Sequence, residues 1–148
     1  MSSSVKESPC RVEERKVLFV CIGNSFRSQI AEAYFNSMAP PGCRAISAGV
    51  KPAISVHPNA IKLMAEEGID ISRSKPKPLT EEAKKADIVV IVCDELEKEC
   101  PVIYAKRLEH WRLPDPAKMC LEDARKVRDT IKRKVVELIE EITHEGLS

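Results

Sequence analysis

The stretch Cys21-Ile-Gly-Asn-Ser-Phe-Arg27-Ser28 sets a thiol six positions before a guanidinium, with a glycine, an asparagine and two hydroxyls beside them. Cysteine and arginine at that spacing arise often by chance, so the context decides. An apolar run, Lys16-Val-Leu-Phe-Val-Cys21, precedes the stretch and a helical pattern follows it. A tight loop between strand and helix turns successive backbone N–H groups inward, and the helix N-terminus adds its positive dipole end. Arg27 can grip two oxygens of a tetrahedral oxyanion with its planar fork. The same groups favour a Cys21 thiolate ready for in-line attack. Ile22, Gly23, Asn24, Ser25, Phe26, Arg27 and Ser28 are thus the expected oxyanion cradle. Gly23 is expected to allow close backbone approach and Asn24 to hold a left-handed conformation, with Ser25 and Ser28 donating to the thiolate or leaving group. A buried strand-end cysteine followed by helix-capping residues would explain parts of this stretch, but not the whole.

The other polar candidates are weaker alone. Cys93 ends the apolar run Ile88-Val-Val-Ile-Val92 and reads as a small buried hydrophobe. Cys100 lies in a charged stretch before Pro101, where an exposed thiol is a liability unless it is used. Cys10, Cys43 and Cys120 read as bystander thiols. His57, His110 and His144 carry no assigned chemistry, His110 beside Trp111 reading as a packed strand end. No C-x2-C spacing occurs, so a structural zinc site has little support.

The elements that must position these groups are legible. Lys16–Cys21 and Cys43–Ala48 read as strands, the second closed by Gly49, and Ser25–Ser37 and Pro58–Glu67 as helices, the latter stopped by Gly68. Lys75–Pro78 reads as a loop, and Thr80-Glu-Glu opens a capping pattern ahead of the strand Ile88–Val92. Arg107–Leu113 supplies a last short strand, Pro114-Asp115-Pro116 breaks it, and Leu121–Thr143 carries Val127, Ile131, Val135, Leu138, Ile139 and Ile142 at helical spacing. Alternating strands and helices imply an α/β fold with a parallel sheet covered on both faces and a ligand site beyond the strands' carboxyl ends, where Cys21 sits.

Composition limits the function classes. At 148 residues, with 43% apolar and 32% charged residues and a net charge of +1, the chain reads as one catalytic domain over residues 16–148 behind a flexible extension, 1–15. No nucleic acid partner is implied. The longest apolar runs reach about six residues, against roughly 20 for a membrane span, so no membrane association is expected. The Ser-rich, charged opening lacks a signal-peptide core, and six cysteines without a secreted framework suggest reduced thiols in the cytoplasm.

Cys21-Ile-Gly-Asn-Ser-Phe-Arg-Ser-Gln-Ile-Ala-Glu-Ala33 resembles the signature loop and first helix of the low-molecular-weight phosphatase superfamily. Ser47-Ala-Gly49, Pro58-Asn-Ala60, Gly68-Ile-Asp-Ile-Ser72 and Asp115-Pro116 continue the likeness in order, over about residues 16 to 143. The resemblance implies a four-stranded parallel sheet flanked by helices and Asp115 as general acid. Phe26 departs from it, standing where the family usually carries a second loop cysteine.

Cys93-Asp-Glu-Leu-Glu-Lys-Glu-Cys100-Pro101, Glu109-His-Trp111 and Asp115-Pro-Ala117 are similar to the thioredoxin-coupled arsenate reductases of that superfamily. The likeness implies attack of Cys21 on arsenate, then of Cys93 on Cys21, then of Cys100 on Cys93, with the final disulfide reduced by a thioredoxin-like partner. It implies neither a metal nor an organic cofactor. The alternative is a phosphatase cleaving phosphoesters through a Cys21 phosphocysteine. Ala117, Lys118, Met119 and Cys120 stand where phosphatases of the family usually place aromatic residues. A phosphocarrier is the third reading, against which Arg27 and Asp115 argue. Some relatives hold potassium through residues at the positions of Asn24, Glu32 and Ser47 and an aspartate at that of Lys77, so Lys77 is expected to pair with Glu32 in the cation's place. A helix from Cys93 to Cys100 would separate their Cα atoms by roughly 10 Å. A disulfide needs about 7 Å or less, so the reduced segment is expected to hold Cys100 well away from Cys93 and to remodel on oxidation.

Overall fold

The computed structural model describes residues 14–94, 98, 100–101 and 103–147. Four strands, β1 (Arg15–Cys21), β2 (Cys43–Gly49), β3 (Ile88–Ile91) and β4 (Leu108–His110), form one sheet in the order β2-β1-β3-β4. All three pairings are parallel. Residues 1–13 of the expected extension lie outside the described residues, and β1 already begins at Arg15, opposite Cys43. From β1 the chain crosses to β2 on one side, and β3 then lies on the other. The carboxyl end of β1 therefore faces the crevice where strand order reverses, the usual ligand position of such sheets.

The apolar alternation along β1 divides the core. Val17, Phe19 and Cys21 point into the larger cluster with Ile88, Val90 and Val92, beneath α1 (Arg27–Met38), α2 (Pro58–Ala65) and α3 (Leu121–Leu147). Leu18 and Val20 point the other way, with Val89, Ile91 and Cys93. Among the described residues, that second face is covered by one 3-10 turn, Ala83–Lys85, and by the chain around Ile103. Helical cover thus exists on both faces, as expected, but it is unequal. The Thr80 cap forms, its Oγ1 accepting the Ala83 N–H at 3.0 Å, yet the helix lasts a single turn before Asp87 turns back to accept the Lys16 N–H at 2.8 Å.

The expected stripe on α3 is buried at Val127, Ile131, Val135, Leu138 and Ile142, with Ile139 half-buried. His57 caps α2, its Nδ1 accepting the Asn59 N–H at 3.0 Å, and Gly68 supplies the positive φ of 76° that turns the chain away after α2. No described helix is long and apolar enough to cross a membrane.

Charged pairs fasten α2 and α1 to α3. Glu66 accepts from Arg125 at 2.8 and 2.9 Å and from the buried Arg128 at 2.7 Å, while Glu67 joins Tyr34 on α1 and Lys132 on α3. Hydrogen bonds from Arg125 and then Arg128 hold the Glu66 carboxyl down to about 2 from its ordinary 4.5. Glu67 is lowered by Lys132 first and Tyr34 second. A carboxylate depressed in the folded state stabilises fully above its unfolded value, and that contribution is lost as pH falls through the folded value. The melting temperature should therefore fall between pH 4.5 and pH 2, and Glu66→Gln should lower it at neutral pH while making the fall across that window shallower.

Candidate active site

Leaving β1, the chain turns through residues 22–26 and enters α1 at Arg27 without a side-chain cap at Phe26. A helix N-terminus without a side-chain cap leaves its first N–H groups available, which suits an anion. Asn24 has a φ of 53°, the left-handed conformation expected of it, and is fully buried. The Cys21 Sγ accepts the Asn24 N–H at 3.0 Å and lies 2.8 Å from Ser28 Oγ. Asn24 Nδ2 donates to that same Oγ at 2.7 Å, which leaves the Ser28 hydroxyl hydrogen available to the sulfur. The Asn24 N–H and the Ser28 hydroxyl thus converge on the Cys21 Sγ, an arrangement suited to a nucleophilic sulfur.

Arg27 is buried, and its Nη1 donates to the Leu113 carbonyl at 2.8 Å, two residues before Asp115. Asp115 Oδ1 accepts the Ala117 N–H at 3.0 Å. A cavity of about 180 Å³ is lined by Cys21, Ile22, Gly23, Ser25, Phe26, Arg27, Asp115 and Ala117, so residues 94 apart in sequence share one small space with the thiol. Phe26 closes one side, its ring 5.0 Å from that of His57, whose N–H donates to the Ser25 carbonyl at 2.9 Å.

The glycine requirement falls elsewhere than expected. A Cβ at Gly23 would meet its neighbours at ordinary contact, 3.6 Å or more. One at Gly49 would lie 2.6 Å from the Ile22 carbonyl oxygen and 2.9 Å from the Asn24 nitrogen. The end of β2 packs its backbone directly on the loop, and only glycine fits. Gln29 is a further residue that sequence reasoning passed over: buried, it donates through Nε2 to Asn24 Oδ1, to the Asn24 carbonyl and to the Lys75 carbonyl, each at 3.1 Å. A buried amide in a helix interior has to find partners, and that was its available signal.

Lys77 meets its expectation. Its ammonium lies 3.6 Å from Glu32 Oε1 and its N–H donates to Asn24 Oδ1 at 2.8 Å, while Ser47 Oγ donates to the same Glu32 oxygen. Asn24, Glu32, Ser47 and a positive charge are gathered behind the loop.

Cys93 is fully buried, and Cys100 is half-buried rather than exposed. The expected separation of the two is not what the structure has: Cys100 Sγ lies 3.7 Å from the Cys93 carbonyl oxygen. Glu95, Leu96, Glu97 and Glu99 lie outside the described residues, so the expected helix between the cysteines falls there too. Cys93 and Cys21 pack on opposite faces of the sheet, as the alternation of side chains requires once β1 and β3 pair in this register. His110 is also more than a packed strand end, since its Nε2 lies 2.7 Å from the Cys93 carbonyl oxygen.

The family model described as low molecular weight phosphotyrosine protein phosphatase matches residues 16–147. An arsenate reductase of Staphylococcus aureus is 34% identical over 123 residues, covering 82% of this chain and 93% of the relative. The crystal structure of an arsenate reductase from Archaeoglobus fulgidus superposes with a TM-score of 0.73 at 34% identity, over 84% of this chain and 98% of the other. A thioredoxin-dependent arsenate reductase of Corynebacterium glutamicum gives a TM-score of 0.73 at 29% identity, over 90% of this chain and 64% of the other.

Gly49→Ala should lose phosphate protection of Cys21 against alkylation, because the loop backbone must shift to admit the methyl group. Lys77→Ala should lower the melting temperature by no more than about 4 °C, as befits a partly exposed ion pair. The parent protein should melt equally in potassium and sodium chloride, and Lys77→Asp should melt higher in potassium; a potassium response of the parent would contradict the ammonium's role.

Proposed function

The chain belongs to the low-molecular-weight phosphotyrosine protein phosphatase family, and within it we propose that this protein is an arsenate reductase regenerated by a thioredoxin-like reductant. The observation that carries this reading is the second pair of cysteines: Cys93 follows the strand beside the one that ends in Cys21, and the Cys100 sulfur touches the Cys93 carbonyl. A phosphatase has no use for that pair. Similarity to reductases over more than four-fifths of the chain supports the same assignment.

The Cys21 thiolate attacks arsenic(V), and Asp115, on the same cavity, protonates the departing oxygen, leaving a Cys21 sulfur–arsenic bond. Arg27 and the loop N–H groups carry the oxyanion charge. Cys93 attacks the Cys21 sulfur; the sulfur–sulfur bond forms as the sulfur–arsenic pair of electrons passes to arsenic, which leaves as arsenite. Cys100 then attacks Cys93 and releases the Cys21 thiolate. The dithiol reductant restores Cys93 and Cys100 with two electrons and two protons. Cys93 has to leave its face of the sheet to reach Cys21. The composition beyond Cys93, with Asp94, Glu95, Glu97, Lys98 and Glu99, suits that movement because charged side chains bury little.

Phosphate has the shape and charge of arsenate, so phosphoester cleavage by Cys21, Arg27 and Asp115 is the subsidiary activity. No described aromatic residue other than Phe26 lines the cavity to hold a phosphotyrosine ring. Cys21→Ser should abolish both arsenate reduction with a thioredoxin system and p-nitrophenyl phosphate hydrolysis. Cys93→Ser and Cys100→Ser should each stop multiple-turnover reduction, by at least about a hundredfold, yet retain most of the hydrolysis, because hydrolysis needs no second thiol. Equal losses in both assays would reduce the pair to a structural role.

A further inference from the structure

Beyond the end of β3, on the thinly covered face, three groups meet. His110 Nε2 lies 2.7 Å from the Cys93 carbonyl oxygen, and Cys100 Sγ lies 3.7 Å from that oxygen and 3.9 Å from Nε2. A carbonyl oxygen can only accept, so Nε2 carries the hydrogen. Toward this corner the imidazole is therefore a donor and not a base. The register of β4 puts it there: His110 is opposite Ile91, and the Trp111 N–H donates to the Ile91 carbonyl at 2.8 Å. The ring leaves the strand beside Ile91 and reaches the carbonyl two residues further on.

From this convergence, and resting on the thiol relay proposed above, we infer that His110 is a positioning residue for the second sulfur exchange. It keeps the Cys93 backbone beside Cys100, its Nε2–H held on the Cys93 carbonyl toward which the Cys100 thiol also points. In that exchange the Cys100 thiolate, its proton already given to solvent, attacks the Cys93 sulfur of the Cys21–Cys93 disulfide. The Cys93–Cys100 bond forms, the Cys21–Cys93 bond breaks, and the electron pair leaves on Cys21.

The far end is pinned too. Cys100 packs against the smaller core cluster, and Ile103, three residues on, is buried within it. The attacking thiol is thus held near its target before the chemistry begins, which removes much of the entropy of closing the intervening loop.

The test uses the full chain carrying Cys21→Ser, so that the first exchange is absent. Closure of the Cys93–Cys100 disulfide by diamide, a two-electron thiol oxidant, is followed by quenched alkylation and mass mapping. Adding His110→Phe should slow closure about tenfold. Adding His110→Gln, whose side-chain N–H preserves a donor, should keep the rate within about threefold of the parent. Melting curves identify a variant that has failed to fold, and the Gln variant then still decides the matter against the parent. With Cys21 restored, a single turnover with arsenate should accumulate the Cys21–Cys93 disulfide in His110→Phe and not in His110→Gln. Equal closure rates in parent and Phe variant, or equal slowing in both variants, would overturn the positioning role. If arsenate produces no disulfide in the parent while diamide closure still follows the donor, the reductase reading falls and the role of His110 stands.

Discussion

Asn24 holds the catalytic loop to the rest of the molecule. Its left-handed backbone aims its N–H at the Cys21 sulfur, and its side chain donates to Ser28 while accepting from Gln29 and the Lys77 backbone. Such a conformation costs a non-glycine residue about 1 kcal/mol or more, and a buried amide left unpaired costs about 1–3 kcal/mol. Every hydrogen-bonding group named here is matched, so the strain is offset locally. One side chain thereby joins the loop, the first turn of α1 and the 75–77 segment into a single rigid unit. Preorganisation of the nucleophilic sulfur follows from that unit before any substrate arrives.

The two faces of the sheet divide the labour. Beneath three helices the larger cluster fixes Cys21 and its loop against the buried side chains of α1 and α3. The opposite face, covered among the described residues by one 3-10 turn and the chain around Ile103, carries Cys93 and Cys100. The strand order places the ends of β1 and β3 side by side, so little travel separates the two functions.

Charge is arranged to the same end. The exposed side of the helical layer is stitched by the Glu66 and Glu67 pairs, which fix α2 to α3 at a distance from the chemistry. Behind the loop, Lys77 places its ammonium beside Glu32, which also takes the Ser47 hydroxyl. In front, Arg27 donates to the Leu113 carbonyl, so the guanidinium on the cavity and the turn that carries Asp115 are linked by one bond. The site is held from both sides by contacts between segments remote in sequence.

Much of this was legible from residue order alone, because strand runs, helical stripes and the signature loop are local patterns. The sequence determined that Cys21 ends a buried strand and precedes a helix, that Asn24 takes the left-handed turn, and that α3 buries Val127, Ile131, Val135, Leu138 and Ile142. Lys77 beside Glu32 was legible only through the family resemblance. The tertiary structure decided what depends on pairing and register. Gly49, and not Gly23, is where backbone meets backbone, because the end of β2 lies against the loop. Gln29 bridges the loop to Lys75 across 46 residues. His110 meets Cys93 only because β4 pairs in register with β3, 17 residues apart at that bond. The opposite facing of Cys21 and Cys93 follows from strand parity once β1 and β3 are paired, and no local pattern contains that pairing.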